Sequence, residues 1–138
     1  MSDWPFAHVE RVRFGDLDAM RHLNNVVFLR YFETARISYV RELFPEHDPA
    51  HPEGSRGFIF AEAKINYRSP GFFDDEVTIE LRAAEVKRSS FRIEFRMRVG
   101  ERLLAEGYGV LVGYEYGTQR AAPLPDPLRE RLLQTSSR

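Results

Sequence analysis

The sequence predicts an α+β fold in which an antiparallel sheet curls round one long helix, and three observations carry that expectation. Near the N-terminus a polar loop runs into a stretch whose apolar residues recur at three- and four-residue steps. From Gly57 onward the period changes to two and holds through four long segments. The turns between those segments are short, as antiparallel neighbours allow.

Taken in order, His8 to Phe14 reads as a first strand, with Val12 and Phe14 facing inward. The polar loop Gly15–Asn24 follows, holding Asp16, Asp18 and His22, and Asn24 or Asn25 suits the N-cap of the next helix. That helix is expected over Asn25–Leu43, with Phe28, Tyr31, Phe32, Ala35, Tyr39 and Leu43 on one stripe. Val26, Val27, Leu29, Ile37 and Val40 widen the stripe until little polar surface is left, so the helix should have protein on most sides. The segment 45–54, rich in proline and charge, reads as an exposed connection. His47, Asp48, His51 and Glu53 fall in it, but a proline-rich loop offers no rigid metal geometry, and no metal is expected.

In the first period-two segment Ile59, Ala61, Ala63, Ile65 and Tyr67 alternate with Phe60, Glu62, Lys64 and Asn66, which leaves Phe58 and Phe60 on an outer face in need of cover. Val77, Ile79, Leu81 and Ala83 mark the next strand. Phe91–Val99 is the clearest, with Phe91, Ile93, Phe95, Met97 and Val99 opposite Arg92, Glu94, Arg96 and Arg98. A last strand over Leu103–Tyr116 carries Tyr108, Val110, Val112 and Tyr114 on one side. Turns are expected at Ser69–Gly71, Lys87–Ser90 and Gly100–Glu101, and a short helix after Pro127 before a frayed end. A sheet of this size cannot close round the helix alone, so at least a homodimer is expected.

The chain's 138 residues suit one domain spanning 1–138. A net charge of -1 and a pI near 6.4 leave no basic field for nucleic acid or an anionic membrane. There is no cysteine, hence no disulfide or thiolate metal site. No secretory signal or apolar run of about 20 residues stands out, and a cytoplasmic domain is expected.

The runs Phe14-Gly-Asp-Leu-Asp18, His22-Leu-Asn24-Asn25, Phe28, Glu33 and Arg36 resemble the opening signature of the 4-hydroxybenzoyl-CoA thioesterase-like branch of the hotdog-fold superfamily. Ile65-Asn-Tyr67-Arg-Ser-Pro70, Asp74-Asp75-Glu76-Val77, Lys87-Arg-Ser-Ser90 and the tail PLPDPLRERL are similar to later parts of the same family. The resemblance implies a five- or six-stranded antiparallel sheet wrapped round one long central helix, a dimer or tetramer, and hydrolysis of acyl-CoA or acyl-carrier-protein thioesters at the dimer interface. It puts Asp18 at the catalytic aspartate, as nucleophile or general base, and the Asn25 N–H at the group that polarises the carbonyl. His22 orders the loop or takes part. Glu33 stands at the spacing another branch uses for its nucleophile, or pairs on the helix face with Arg30 and Arg36. Asn24, Phe28, Phe32, Phe60 and Tyr67 are the expected acyl-side contacts. Lys87, Arg88, Ser89 and Ser90 match the family's hairpin for the CoA phosphates. No cofactor is implied beyond CoA as part of the substrate.

The chemistry agrees with the residue types. Thioester hydrolysis needs a carboxylate near the carbonyl carbon and donors aimed at its oxygen, and a helix N-terminus offers unpaired N–H groups with partial positive charge. The residues alone favour Asp18 as a loop carboxylate in an Asx-turn, and the resemblance reverses that preference. The same residues also allow a hotdog module that binds acyl-CoA without turning it over.

Overall fold

The computed structural model describes residues 3–46 and 56–135. Strand β1 covers Phe6–Arg11, helix α1 Asn25–Leu43, and strands β2 to β5 Arg56–Tyr67, Glu76–Ala84, Ser90–Val99 and Arg102–Glu115. A two-residue β6, Arg120–Ala121, and helix α2, Asp126–Thr135, complete the order. The sheet runs β1-β3-β4-β5-β2, with β6 beside β5, and every pairing is antiparallel. Helix α1 lies against its inner face. The fold is therefore the hotdog arrangement expected, one long helix held in an antiparallel sheet.

Helix α1 starts where the sequence says, because the Asn24 side chain accepts the Val26 N–H and closes the first turn. Val27, Phe28, Tyr31, Phe32, Ala35, Tyr39 and Val40 are buried on its inner side. The stripe is narrower than expected, however: Val26 is 69% exposed and Leu29 also faces outward. Both lie on the side that the single sheet does not reach.

Inward faces of β3 (Val77, Ile79, Leu81, Ala83) and β4 (Phe91, Ile93, Phe95, Met97) are buried as alternation predicts. Two expectations fail for identifiable reasons. In β2 the register against β5 shifts between Phe60 and Glu62, and this bulge reverses which residues face in. Phe58 and Phe60 consequently point at the core, Phe60 edge-on to Phe32 at 5.9 Å and Phe58 edge-on to Phe91 at 6.1 Å, rather than outward. Beyond the bulge Tyr67 turns toward α1, 5.2 Å from Phe28.

The first strand also ends sooner than expected. The chain bends at a 3-10 turn, Phe14–Asp16, as the Asp16 carboxylate takes the Arg13 N–H at 3.0 Å. The bend leaves Phe14 78% exposed, against Phe73 and not in the core, while Val12 stays buried.

In β5 the inward-facing residues include Gly109 and Leu111, opposite Ile93 and Phe91 of β4. Tyr108, Val110, Val112 and Tyr114 take the outer side. A Cβ on Gly109 would stand 2.7 Å from Phe32 and 2.9 Å from Phe60, so that glycine is what lets a ring of α1 and a ring of β2 approach the strand. Helix α2 opens with Asp126 and Pro127, where proline costs no hydrogen bond, and buries Leu128 and Leu132. The expected connection at 45–54 lies, from 47 on, outside the described residues, as do His47, Asp48, His51, Glu53 and the end of the chain after Thr135. No helix among the described residues is long and apolar enough to cross a membrane.

Candidate active site

The loop between β1 and α1 is built from backbone hydrogen bonds closed by short side chains. Asp18 gives its N–H to the His22 carbonyl at 2.8 Å and takes the Arg21 N–H on its own carbonyl at 3.0 Å. Its Oδ1 accepts the N–H groups of Met20 and His22 at 2.8 and 3.1 Å, an Asx-type turn. Arg21 takes a positive φ of 64° to let this tight turn close. Leu17 and Leu23 bridge across the base of the loop, and Leu23 is buried, donating its N–H to the Gly71 carbonyl at 2.7 Å. Asn24 then gives its N–H to the Asp16 carbonyl at 2.9 Å and caps α1.

A cleft of about 270 Å³ opens beside this loop. Asp18, His22 and Leu23 form one wall, Asn25 and Phe28 of α1 the floor, and Tyr67 to Pro70 at the end of β2 the far wall. Asp18 is exposed, and its Oδ2 has no hydrogen-bond partner among the described residues. Asn25 is the first residue of α1, and its N–H is likewise unpaired among the described residues, as a helix start requires. The Tyr67 hydroxyl donates to the Asn25 carbonyl at 3.1 Å and so ties the far wall to the helix start. Asp18 and the first residue of α1 thus line one cavity. That pairing can activate water or attack a carbonyl while stabilising the oxygen that becomes negative.

A larger concavity, about 700 Å³, lies on the outer sheet face between Trp4, Lys64, Tyr108 and three arginines. Its arginines are already engaged: Arg82 bonds Glu94 at 2.8 Å, and Arg96 and Arg98 both bond Glu80 at 2.8 Å. Size alone therefore does not mark the reactive site.

Residues 12–132 match the family model of the thioesterase-like superfamily. The chain belongs to that superfamily. Among solved structures, a thioesterase from Thermus thermophilus complexed with coenzyme A and Zn is 36% identical, with a TM-score of 0.81, covering 97% of this chain and 96% of that one. The 1,4-dihydroxy-2-naphthoyl-CoA hydrolase of Synechococcus elongatus is 27% identical, with 99% of each chain covered. The long-chain acyl-CoA thioesterase of Escherichia coli is 27% identical over 90% of this chain and 94% of its own. Membership of a superfamily of thioesterases, with named thioesterases aligned end to end, makes this protein an enzyme of that class.

Against the superfamily's expected site, the structure sorts the residues into three groups. Asp18, His22, Asn25, Phe28 and Tyr67 meet at the cleft, and Asn24 caps the helix beneath it. The His22 ring stands edge-on to Phe72 at 5.6 Å, a contact that fixes the loop's outer side. Glu33 lies two turns along α1 on its exposed face, outside the cleft lining. The ion pairs expected round it do not form as drawn: Arg30 stands 3.7 Å from Asp16, and Arg36 lies over the Phe60 ring at 5.6 Å. Burial holds the Arg36 guanidinium below its usual pKa against the pull of Glu33, and its Nε has no partner among the described residues.

Phe32 has no exposed surface and packs 4.8 Å from Phe95, so it backs the core instead of facing a ligand in the single chain. Lys87, Arg88, Ser89 and Ser90 form the β3–β4 turn, at the end of β3 away from Glu76 and from Phe72 and Gly71, which adjoin the cleft. Nine residues of β3 separate the two ends, about 30 Å at strand rise. The carbonyls of Arg88 and Ser89 are spent on the Leu124 and Gly113 N–H groups. Leu23, Ser69 and Pro70 were not anticipated in the lining. They come there through the Leu23–Gly71 bond and the Ser69 hydroxyl's 2.6 Å bond to Leu103, long-range pairings that no local pattern announces.

Proposed function

We propose that this protein hydrolyses acyl-CoA thioesters, with Asp18 as general base or nucleophile and the Asn25 N–H as donor to the thioester oxygen. The observation that carries the reading is the shared cleft, lined by Asp18, whose carboxylate keeps one oxygen free, and by Asn25, whose N–H at the helix start is unpaired among the described residues. Bound with its carbonyl oxygen at that N–H, the ester presents its carbon to Asp18 or to a water beside it. In the base route Asp18 takes a proton from the water, whose oxygen bonds to the carbonyl carbon. The tetrahedral oxyanion then collapses, the carbon–sulfur bond breaks, and the thiolate leaves and is protonated. In the nucleophile route Asp18 itself displaces the thiolate, and water cleaves the resulting mixed anhydride. One N–H donor to the oxyanion contributes about 3 kcal/mol.

Coenzyme A is the favoured carrier because the named relatives act on CoA esters. A homodimer belongs to the same proposal. β2 is an edge strand of twelve residues, and Val26 and Leu29 near the start of α1 are exposed apolar side chains. A second copy covering that face would complete the wall of a cleft that is open in one chain. The cysteine-free composition suits a cytoplasmic setting.

The test is thiol release from a panel of aromatic, short and long acyl-CoAs, run beside calorimetry on the same ligands. Turnover of at least one class supports the proposal. Tight binding with no thiol released would make the protein a ligand-binding module instead.

A further inference from the structure

The carboxylate that the proposed chemistry leaves unused is Asp16, and it is 7% exposed. Side chains of a helix lean toward its N-terminus, so Tyr31, six residues into α1 and about 9 Å along its axis, reaches back over the loop. Its hydroxyl donates to Asp16 Oδ2 at 2.6 Å, and the same oxygen accepts the Arg13 N–H at 3.0 Å. Arg30 stands 3.7 Å from Oδ1. The Asp16 carbonyl meanwhile takes the N–H of Asn24, the helix cap, at 2.9 Å. One residue is thus tied to the turn before it, to the flank of the helix and to the helix start. Asp18 follows two residues later and is held on its other side by His22. Phenylalanine would fill the same buried volume at 31, so the hydroxyl answers to Asp16 and not to packing. Burial and then the Asp16 bond push the Tyr31 phenol's pKa well up, which keeps it a donor throughout neutral pH.

We infer that Asp16 and Tyr31 are a positioning pair that sets Asp18 against the first N–H of α1, an inference that rests on the thioesterase reading. Neither residue lines the cleft, so each acts through the loop it braces. A bond that merely stabilised the fold would lower the melting temperature and leave turnover alone. A brace that sets the distance between a carboxylate and an oxyanion donor acts on kcat, since displacing reacting groups by about 1 Å can cost on the order of a hundredfold.

The experiment compares Tyr31→Phe with the parent by amide hydrogen exchange and by thiol-release kinetics. The expected result is exchange about tenfold faster or more at the amides of Asp18, His22 and Asn24, with amides beyond Ala35 unchanged. In a parent that turns over, kcat falls by roughly tenfold to a hundredfold with KM held. Asp16→Asn, which keeps an acceptor for the phenol, should retain more of that loop protection than Asp16→Ala, and it serves where another variant fails to fold. Unchanged protection at the three amides, or faster exchange with kcat intact in an active enzyme, overturns the inference, and so does the reverse order of the two Asp16 variants. A parent that releases no thiol from any ester defeats the thioesterase reading alone, and exchange then decides the pair by itself.

Discussion

Replacing the helix cap by its acid, Asn24→Asp, sets the stability of α1 against its proposed use. The Asn24 oxygen accepts the Val26 N–H at 3.0 Å, and an aspartate oxygen would accept the same bond. Its charge would meet the positive end of the helix, so stability is kept or rises by about 0.3–1 kcal/mol. The same charge faces the transition state. An oxyanion about 3 Å from the Asn25 N–H would sit roughly 6 Å from the new carboxylate, across neighbouring amides. Repulsion at that distance is about 0.7 kcal/mol in water and about 3 kcal/mol at an effective dielectric near 20. Asn24 is half-buried and the cleft is open, so kcat should drop by between about threefold and a hundredfold. Thermal melting and thiol release on the same preparation check both halves. A variant that melts at or above the parent temperature and hydrolyses more slowly is the expected result. One that is equally stable and equally fast refutes the placement of the oxyanion at the start of α1.

Other outcomes follow from the same structure. Asn24→Ala removes the cap without adding charge and should cost about 1 kcal/mol of stability in a melt. Gly109→Ala puts a methyl group 2.7 Å from Phe32 and should destabilise the core by about 1–3 kcal/mol in denaturant unfolding, with no effect on melting counting against the packing described. Burial pulls the Glu80 carboxyl upward, but hydrogen bonds and charge from Arg96 and Arg98 outweigh it and hold its pKa below the usual 4.5. A depressed folded-state value means that this group adds stability above its unfolded pKa and loses it as pH falls through the folded one. Glu80→Gln should therefore be less stable than the parent at neutral pH, and the two should converge in acid; a gap that stays constant with pH would contradict it.

Much of this architecture is legible in local signals. The start of α1 shows because an asparagine cap stands directly before an apolar period of 3.6, and β3 and β4 show because their alternation is unbroken. β2 departs from its pattern because a bulge after Phe60 reverses the phase, and a bulge leaves no mark in the order of polar and apolar residues. In β5 one inner position is Gly109, which carries no hydrophobic signal and is explained by the rings of Phe32 and Phe60 against it. Phe14 has the character of a core residue, but Asp16 bends the chain beneath it and turns it out.

The candidate site divides along the same line. Its loop and helix half, Asp18, His22, Asn25 and Phe28, lies close together in sequence and can be named from it, Leu23 excepted. Of its far wall Tyr67 can be named from the sequence, while Ser69 and Pro70 are brought in only by pairing across the sheet. Lys87 to Ser90 belong to the other end of β3, away from the cleft.

The most direct trial of the account is the rate of thiol release from the best acyl-CoA by Asp18→Asn beside the parent. Asn keeps an oxygen for the Met20 and His22 N–H groups, so the loop should hold, while the basic and nucleophilic oxygen is lost. The account predicts a fall in kcat of about a hundredfold or more with the melting temperature nearly unchanged. A folded Asp18→Asn protein that releases thiol at the parent's rate would contradict it.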